Sequence, residues 1–572
     1  MSPRRRVMYA AAVAAALALA LTAQAWAIDP ARATQLEGGA QKLWVFFTDK
    51  GLTRAEEQSA IDAFRAELPE RALRRRAKVG FDVNRNDLPV AAQYVDGVAA
   101  IGVEVVTKSR WLNAVSVFAD GEQAAAIAAL PFVRETRPVA RGTKRLPEIT
   151  PAVGQQPSVP EGRTLDYGEA QGQLEQIQVD LLHDEGLDGT GVLIAMLDTG
   201  FDTDHQVYRH LNVVAERDFI NDDGETADQP GDPEGQDGHG TATLSCVGGK
   251  YPGELYGGSY HAGFVLCKTE MVDEEIQTEE DYWAEAVEWA DSLGANVVSS
   301  SLGYFYWYTY ADMDGNTTVV TIAADMAAAR GIVVVNSMGN EGDDPWLYMI
   351  APADGDSVLS IGAVDIDGDR VGFSSVGPTY DGRTKPDVMA LGSDAYVATT
   401  ADTASYGNAS GTSFSCPLTA GAVGLLIEAR PEWTPMDVIE ALHSTATQSS
   451  SPDTLMGWGI VQAHDAMYAG WAGVESGEVP AARVIWASPN PTSRGTLVEF
   501  VLPERGRALV TVYDASGRLV RTLIDRVFPA GPHAVEWDGR DESSHPVASG
   551  VYFARLRAAG GVYSSTKVAV VR

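Results

Sequence analysis

Four polar residues in the middle of the chain have the side-chain types that acyl transfer by a serine requires. In chain order they are Asp198, His239, Asn340 and Ser413. A serine nucleophile needs a base that takes its proton, a carboxylate that orients the base, and donors that stabilise the oxyanion. We therefore predict a catalytic site with Ser413 as nucleophile, His239 as base, Asp198 as the orienting carboxylate and Asn340 as an oxyanion donor.

Ser413 comes just before an apolar run, Phe414 to Glu428, that is typical of a helix. Pro417 falls in the first turn of this predicted helix, where its missing N–H costs little. The run has almost no polar face, so the helix is expected to be buried in the centre of a domain. Ser413 would then lie at a helix N-terminus, where free N–H groups and the helix dipole favour developing negative charge.

Each of the four residues also has a simpler interpretation. Ser413 and His239 are able to cap helices, and the Gly339-Asn340 pair suits a tight turn. Asp198-Thr-Gly200 matches half of an aspartic-protease dyad, although the chain has no second Asp-(Thr/Ser)-Gly. Each simpler interpretation could hold singly, but the presence of all four side-chain types in one segment favours the catalytic interpretation.

The segment from 181 to 470 alternates apolar strands with helices. This alternation predicts an α/β fold with a doubly wound parallel sheet, whose functional groups gather at the carboxyl ends of the strands. The predicted strands are Val192–Leu197, Phe264–Cys267, Val297–Ser301, Ile332–Asn336 and Val358–Val364, and the predicted helices are His239–Val247, Glu280–Leu293 and Val319–Arg330. Asp198 and Asn340 both follow such strands.

Two further segments precede this region. Residues 1–27 combine three arginines, an Ala/Leu run and Ala25-Trp26-Ala27, which is typical of a secretory signal peptide. Residues 28–147 are predicted to form a small α+β domain, with strand Leu43–Phe47 and one helix from Arg54 to Arg75. Residues 148–180 are assigned to a linker and an N-terminal arm. A removable domain ahead of an enzyme suggests a folding aid and inhibitor, and a permanent accessory domain is the alternative.

After a linker at 471–483, residues 484–572 form short alternating strands separated by Gly, Pro and Asp turns. This pattern predicts a β-sandwich. The signal peptide indicates a secreted protein, extracellular or on a bacterial cell surface. No later stretch is expected to be long and apolar enough to cross a membrane.

Charge and cysteine content narrow the function further. The chain has a net charge of −35, and residues 148–470 carry 53 acidic against 10 basic side chains, which argues against nucleic acid as a partner.

The three cysteines are too few for a disulfide framework; a Cys246–Cys267 bridge and buried free thiols both remain open. No cofactor is expected for catalysis and no metal site is assigned. Structural Ca²⁺ is suggested only by the acidic stretches Asn221–Gly224, with Asp228 and Asp232, and Asp312–Asn316.

The framed motifs in the order Asp, His, Asn, Ser resemble those of the subtilisin-like serine proteases. The resemblance covers roughly residues 180–470 and implies secreted endopeptidase activity on polypeptide substrates, through an Asp-His-Ser triad. It also implies that Ser301, Leu302, Gly303 and Met338 bind substrate, with Ile350 at the base of the pocket for the residue that precedes the cleaved bond. An apolar pocket of this kind is expected to prefer bulky side chains.

The flanking segments show weaker resemblances. Residues 28–147 are similar to the inhibitory propeptides of the same family, which implies that the chain binds its own propeptide. Residues 484–572 resemble bacterial Ig-like domains related to the flagellar hook-cap protein and share features with type IX secretion sorting domains, which suggests a cell-surface or secretion partner. The alternative function is an inert surface adhesin or binding protein on a subtilisin-like scaffold.

Overall fold

The computed structural model describes residues 40–139, 149–151, 165–272 and 278–469, and most of 485–570 except 489–491, 493–494, 503–505, 515–517, 529–530, 543–544 and 559–562. The predicted signal peptide lies outside these residues. The chain divides into two compact units, residues 1–467 and 468–572. The first contains both the N-terminal domain and the parallel sheet, and the second contains the C-terminal strands.

The N-terminal domain is an antiparallel sheet packed against helices, in the order β2-β3-β1-β4. Its elements are β1 (Gln41–Phe47), α1 (Arg54–Glu67), α2 (Glu70–Lys78), α3 (Ala92–Ala99), β2 (Val105–Ser109), β3 (Ala114–Ala119), α4 (Gly121–Ala128) and β4 (Val133–Val139), followed by β5 (Ile149–Pro151). The predicted single helix from Arg54 to Arg75 is wrong. It breaks at Leu68-Pro69, because the residue before a proline is driven out of the helical region.

The next domain contains a seven-stranded parallel sheet with helices on both faces, as predicted from the β/α alternation. Its elements are α5 (Gln171–Gln176), α6 (Val179–Asp184), β6 (Leu193–Asp198), β7 (Asn212–Asp218), α7 (Gly238–Gly248), β8 (Lys250–Tyr251), β9 (Leu255–Tyr256), β10 (Gly263–Lys268), α8 (Glu279–Leu293), β11 (Val297–Ser300), α9 (Val319–Ala329), β12 (Val333–Ser337), β13 (Val358–Val364), β14 (Val388–Leu391), β15 (Ala395–Ala398), β16 (Tyr406–Ala409), α10 (Thr412–Ala429), α11 (Pro435–Thr445) and α12 (Ala463–Met467). Short 3₁₀ turns lie at Arg85–Asp87, Gly168–Ala170, Gln206–Tyr208 and Tyr310–Asp312.

The strand order β14-β13-β12-β11-β6-β10-β7 places β6, β11 and β12 side by side at the centre of the sheet. Their parallel register pairs Ser300 with Leu197 and with Asn336, so the residues that follow these three strands emerge at one edge. The edge strands β7 and β14 were not predicted. β7 alternates exposed and half-buried residues, and β14 has only four residues.

The helix α10 crosses behind this sheet and packs against β11, β12 and β13. Of the described helices, it alone is long and apolar enough to span a membrane, so the expectation that no such stretch exists is wrong by length and composition. However, 89% of its apolar window is buried inside the protein. α10 is therefore a buried core helix, as the lack of a polar face in its sequence predicted.

The N-terminal domain and the parallel-sheet domain share one apolar core. Trp44 and Trp111 of the N-terminal domain are buried in the same cluster as Trp283 and Val287 of α8 and Val320 of α9. Both tryptophans are 3% exposed or less. The two domains therefore pack as one body, stabilised by the burial of large aromatic side chains.

Buried charges cross the same interface. Asp281 of α8 pairs with Lys42 at 2.5 Å, and neither side chain is exposed. Asp291, at the other end of α8, accepts from both Arg75 and Arg76 of α2. Burial lowers the pKa of Lys42 and of Arg75, and their aspartate partners oppose this shift. Each charge is matched, because an unpaired charge would be costly to bury.

The interface is also reciprocal. Arg330, just after α9, donates to Asp87 of the N-terminal domain at 3.2 Å. Glu288 accepts the backbone N–H groups of Arg110 and Trp111 at 3.1 and 3.2 Å. Acceptors and donors thus lie on both sides, which fixes one orientation of the two domains.

The second unit consists of two antiparallel sheets around one apolar core. Its strands are β17 (Ile485–Ser488), β18 (Thr496–Leu502), β19 (Gly506–Asp514), β20 (Leu519–Phe528), β21 (Gly531–Trp537), β22 (Gly550–Ala558) and β23 (Tyr563–Val570). One sheet has the order β17-β18-β21 and the other β20-β19-β22-β23. Phe500 and Trp537 of the first sheet share a core with Val510 and Leu556 of the second. This arrangement is the predicted β-sandwich.

The paired charges at the interface yield a stability prediction. We expect Asp291→Asn, made in a Ser413→Ala background, to lower the free energy of unfolding by about 3–5 kcal/mol, because the buried Arg75 loses its counter-charge and Arg76 keeps only Asp87. Thermal unfolding followed by tryptophan fluorescence measures the change.

The control is Glu70→Gln on α2. Its ion pair with Arg74 spans 3.7 Å between side chains that are 79% and 71% exposed. This substitution should change the free energy of unfolding by less than about 0.5 kcal/mol. Equal effects of the two substitutions would contradict the role assigned to the buried network.

Candidate active site

Asp198 is the last residue of β6, and its carboxylate is fully enclosed by donors. Oδ1 accepts from the Nδ1 of His239 at 2.6 Å and from the Thr199 N–H at 2.8 Å, and Oδ2 accepts from the Thr243 hydroxyl at 2.9 Å. Burial alone would raise the pKa of Asp198, but the charge of His239 and these hydrogen bonds lower it overall. Asp198 is therefore held as an anion.

His239 lies in the first turn of α7 and is 4% exposed. This helix can approach Asp198 because Gly240 has no side chain. A Cβ at Gly240 would lie 2.1 Å from the carbonyl oxygen of Gly200 and 3.0 Å from the Cβ of Asp198. Since Nδ1 donates to Asp198, Nε2 carries the free lone pair. Nε2 is buried and finds no hydrogen-bond partner among the described residues.

Ser413 lies in the first turn of α10, as predicted, and is 3% exposed. Its Oγ donates to the carbonyl oxygen of Ser301 at 3.4 Å, and the Ser301 hydroxyl donates to the Ser413 carbonyl at 2.8 Å. The ring of the next residue, Phe414, lies 6.0 Å from that of His239. The structure thus forms the Asp198–His239 hydrogen bond directly, whereas the Ser413 hydroxyl is bonded to Ser301 in this state.

Asn340 follows β12 and is fixed by the residue before the serine. Its Oδ1 accepts from the backbone N–H and the hydroxyl of Thr412 at 2.8 and 3.0 Å. The Thr412 hydroxyl in turn accepts from the Gly339 N–H at 3.2 Å. Because the side-chain oxygen of Asn340 is engaged in this way, its Nδ2 N–H groups are the ones that can donate to a ligand.

The predicted substrate-binding residues follow β11 and β12, and their side chains differ in exposure. Ser301, Leu302 and Gly303 follow β11, and Leu302 is only 3% exposed. Met338 is completely buried in the core. Its backbone, whose carbonyl accepts the Ile350 N–H at 3.3 Å, is therefore the part of Met338 that can border the site.

Two positioning residues were not predicted from the sequence. Thr243 holds the second oxygen of Asp198, and its position four residues after His239 places it on the same face of α7. Thr412 connects the serine turn to Asn340 and stands next to Ser413 in the sequence. The helical spacing would have identified Thr243. The role of Thr412 could not be identified in this way, because Thr412 and Asn340 are far apart in the sequence.

A third carboxyl group lies close to the histidine along the chain. Asp237 comes two residues before His239, and burial together with Asp228 and Asp202 raises its pKa to about 6. Its Oδ2 accepts the Asp228 N–H at 3.0 Å, and Asp228 accepts the Asp237 N–H at 2.7 Å. This mutual bonding fixes the loop that leads into α7.

The acidic stretches proposed for calcium are already neutralised or bonded locally. In the first, the ammonium group of Lys268 lies 2.6 Å from Asp232 and 2.9 Å from Asp218, which precedes the stretch. In the second, Asp312 accepts the Thr309 N–H and hydroxyl. The described residues form no group of three or more His, Cys, Asp or Glu that could hold a metal ion. The suggestion of structural Ca²⁺ stays a prediction.

The three cysteines are free and buried. Burial raises the pKa of Cys246 and of Cys416 to about 12, and it raises that of Cys267 as well. They are therefore inert thiols.

Three family profiles match the chain in the order of its domains. Residues 42–151 match the profile described as the Peptidase S8 propeptide domain of Bacteroidota, and residues 189–459 match the Subtilase family. Residues 493–561 match the FlgD Ig-like domain. All four proposed catalytic residues fall within the Subtilase match.

Curated relatives resemble the same region. The chain is 30% identical over 275 residues to Subtilisin NAT from Bacillus subtilis subsp. natto, a match that covers 48% of this chain and 65% of that protein. It is 30% identical over 279 residues to Subtilisin from Bacillus pumilus, covering 49% of this chain and 92% of that protein. With Subtilisin Savinase from Lederbergia lenta it shares 28% identity over 309 residues, or 51% and 97% of the two chains.

The site geometry predicts selective reactivity of one serine. We expect a phosphonofluoridate probe to label Ser413, because the helix N-terminus and Asn340 stabilise the charge that forms on phosphorus oxygen while His239 takes the proton. Mass spectrometry of a digest locates the label.

The matched control is Ser415→Ala, which removes the next serine of α10, a residue whose hydroxyl donates to the Thr412 carbonyl at 3.1 Å. This variant should be labelled at the wild-type rate, whereas His239→Ala should be labelled at least ~10²-fold more slowly. Labelling of His239→Ala at the wild-type rate would contradict the assignment of His239 as the base.

Proposed function

The chain belongs to the subtilase family, and from this premise we propose that it is a serine endopeptidase that cleaves polypeptides through an acyl-enzyme on Ser413. The observation that carries the proposal is the buried Asp198–His239 pair, whose Nε2 has no partner among the described residues and whose ring lies 6.0 Å from that of Phe414, the residue after Ser413. An anionic carboxylate, an oriented imidazole and a hydroxyl are the three groups that the reaction needs.

Acylation uses these groups in sequence. The Ser413 hydroxyl turns from the Ser301 carbonyl towards His239, whose Nε2 takes the proton as Oγ bonds to the peptide carbonyl carbon. The resulting oxyanion accepts from the Asn340 amide and from the Ser413 N–H, which has no intrahelical partner in the first turn of α10. His239 then gives its proton to the leaving amine. In the second half of the reaction, His239 takes a proton from water as the water oxygen attacks the acyl carbon. The bond to Ser413 Oγ then breaks, His239 returns the proton to Oγ, and the carboxylic acid product leaves.

Asp198 supports this cycle electrostatically. It holds the ring so that Nε2 faces the serine, and its negative charge stabilises the imidazolium that forms when the proton is taken. Thr243 and the Thr199 N–H keep the carboxylate ionised and in place. No metal or cofactor is required in any of these steps.

The N-terminal domain is proposed to inhibit the enzyme in the same chain. Its match to a peptidase propeptide and its buried contacts with α8 support this role. In addition, β5 pairs antiparallel with β16, where Thr150 lies opposite Asn408. The strand β16 ends at Ala409, shortly before Ser413 in the chain. A strand added at this position competes with a substrate that binds beside the nucleophile.

Secretion is proposed from the signal peptide predicted at residues 1–27 and from the membership of the catalytic domain in a family of subtilisins. The C-terminal sandwich is proposed to attach the enzyme to a cell surface or to direct its export, and its FlgD Ig-like match supports a separate binding module. All four residues proposed for catalysis precede this sandwich in the chain.

Loss of the nucleophile tests the proposal. We expect Ser413→Ala to reduce kcat for a peptide substrate on the order of 10⁴-fold or more with the fold intact. Asn340→Ala should cost about 10²- to 10³-fold, because the backbone donor remains. Circular dichroism checks the fold, and a Ser413→Ala variant with a tenth of wild-type turnover would refute the assignment.

The proton acceptor yields a pH prediction. The rate should be higher at neutral than at acid pH, since only a neutral imidazole can accept a proton from Ser413. Burial raises the pKa of Asp237 to about 6, so this carboxyl group changes charge over the same pH range. The control variant Asp237→Asn removes it. The rise should persist in that variant. A rate that is constant from acid to neutral pH, or inhibition by an aspartic-protease inhibitor, would contradict His239 as the base.

A further inference from the structure

Ile350 lies between the two backbone segments that flank the nucleophile. A Cβ placed on Gly303 would lie 2.5 Å from both Cγ1 and Cδ1 of Ile350. A Cβ placed on Gly339, on the other side, would lie 3.0 and 3.1 Å from the same two atoms. The Ile350 side chain therefore packs directly on both glycines and fills the space that their missing side chains leave.

The backbone holds Ile350 in this position. Its N–H donates to the Met338 carbonyl at 3.3 Å. The next residue, Ala351, exchanges two hydrogen bonds with Tyr304, at 2.9 and 3.1 Å. The segment is thus bonded to both flanking chains, and Ile350 has little freedom to withdraw.

These flanking chains border the part of the site that a substrate side chain must enter. Ser301, two residues before Gly303, is bonded to Ser413, and Gly339 immediately precedes Asn340. A peptide whose carbonyl carbon meets Ser413 Oγ and whose oxygen meets Asn340 directs the side chain before the cleaved bond between the two segments. Ile350 stands in that space and is only 8% exposed.

We propose that Ile350 closes this pocket, so that the enzyme cleaves after small residues such as Ala, Gly or Ser. This inference rests on the proposed function. A side chain as large as Phe or Leu would overlap the isoleucine, and displacing it would require a shift of the bonded segment 349–351. The sequence suggested an open pocket for bulky side chains. The packing of Ile350 closes this pocket instead.

The test compares two substrates on one enzyme. Succinyl-tetrapeptide p-nitroanilides that end in Ala or in Phe are hydrolysed by the full-length chain, incubated until its rate is constant. We expect the wild type to favour Ala over Phe by about tenfold or more in kcat/KM. Ile350→Gly should raise kcat/KM for the Phe substrate by on the order of 10²-fold and reverse the preference. Because the ratio is taken within one preparation, it does not depend on the folded fraction.

Leu347→Gly is the matched control. Leu347 lies in the same segment, is 38% exposed and has a φ of 67°, which glycine adopts without strain. It should leave the Ala-to-Phe ratio unchanged.

Two results would overturn the inference: a wild type that prefers Phe, or an Ile350→Gly variant with an unchanged ratio that still hydrolyses both substrates. Failure of the proposed function looks different, since neither substrate would then be cleaved and a phosphonofluoridate would not label Ser413.

Discussion

The parallel alignment of three central strands determines where the chemistry can occur. β6, β11 and β12 are neighbours in one sheet, so Asp198 at the end of β6 and the residues after β11 and β12, from Ser301 and Met338 onwards, lie at one edge. α10 packs against β11 and β12 and begins with Ser413 in its first turn. Because the strands are buried on both faces, their register is fixed by packing, and the distances in the site follow from it.

The hydrogen bonds of the site then connect elements that are far apart in sequence. Asp198 binds α7 through His239 and Thr243, and Asn340 binds the start of α10 through Thr412. Each functional side chain is therefore held by a neighbour as well as by its own element. Such support is what a site needs if its polar groups are to meet a transition state without reorganisation.

The contact between the N-terminal and catalytic domains combines a shared aromatic core with buried ion pairs. Replacement of buried pairs by apolar residues often leaves stability unchanged, so the pairs are weak evidence for tight packing as such. They do fix one orientation, because Asp281 and Asp291 must each meet their own basic partner on a different element of the N-terminal domain. In the same chain, β5 pairs with β16, the strand that precedes Ser413 in the sequence.

The sequence alone determined the class of the fold, the order of the domains and the residues proposed for catalysis, because strand and helix periodicity and the framed Asp, His, Asn and Ser motifs are local signals. Tertiary structure decided what depends on distant segments. Lys268 pairs with Asp232 of an acidic stretch suggested for calcium, and Ile350 meets Gly303 and Gly339 across the site. A third difference from the sequence expectation, the division of a predicted helix, has another origin. The break at Pro69 is local and was readable from the sequence. In the other two cases a side chain acts on residues far along the chain, and only the packing of the folded protein brings them into contact.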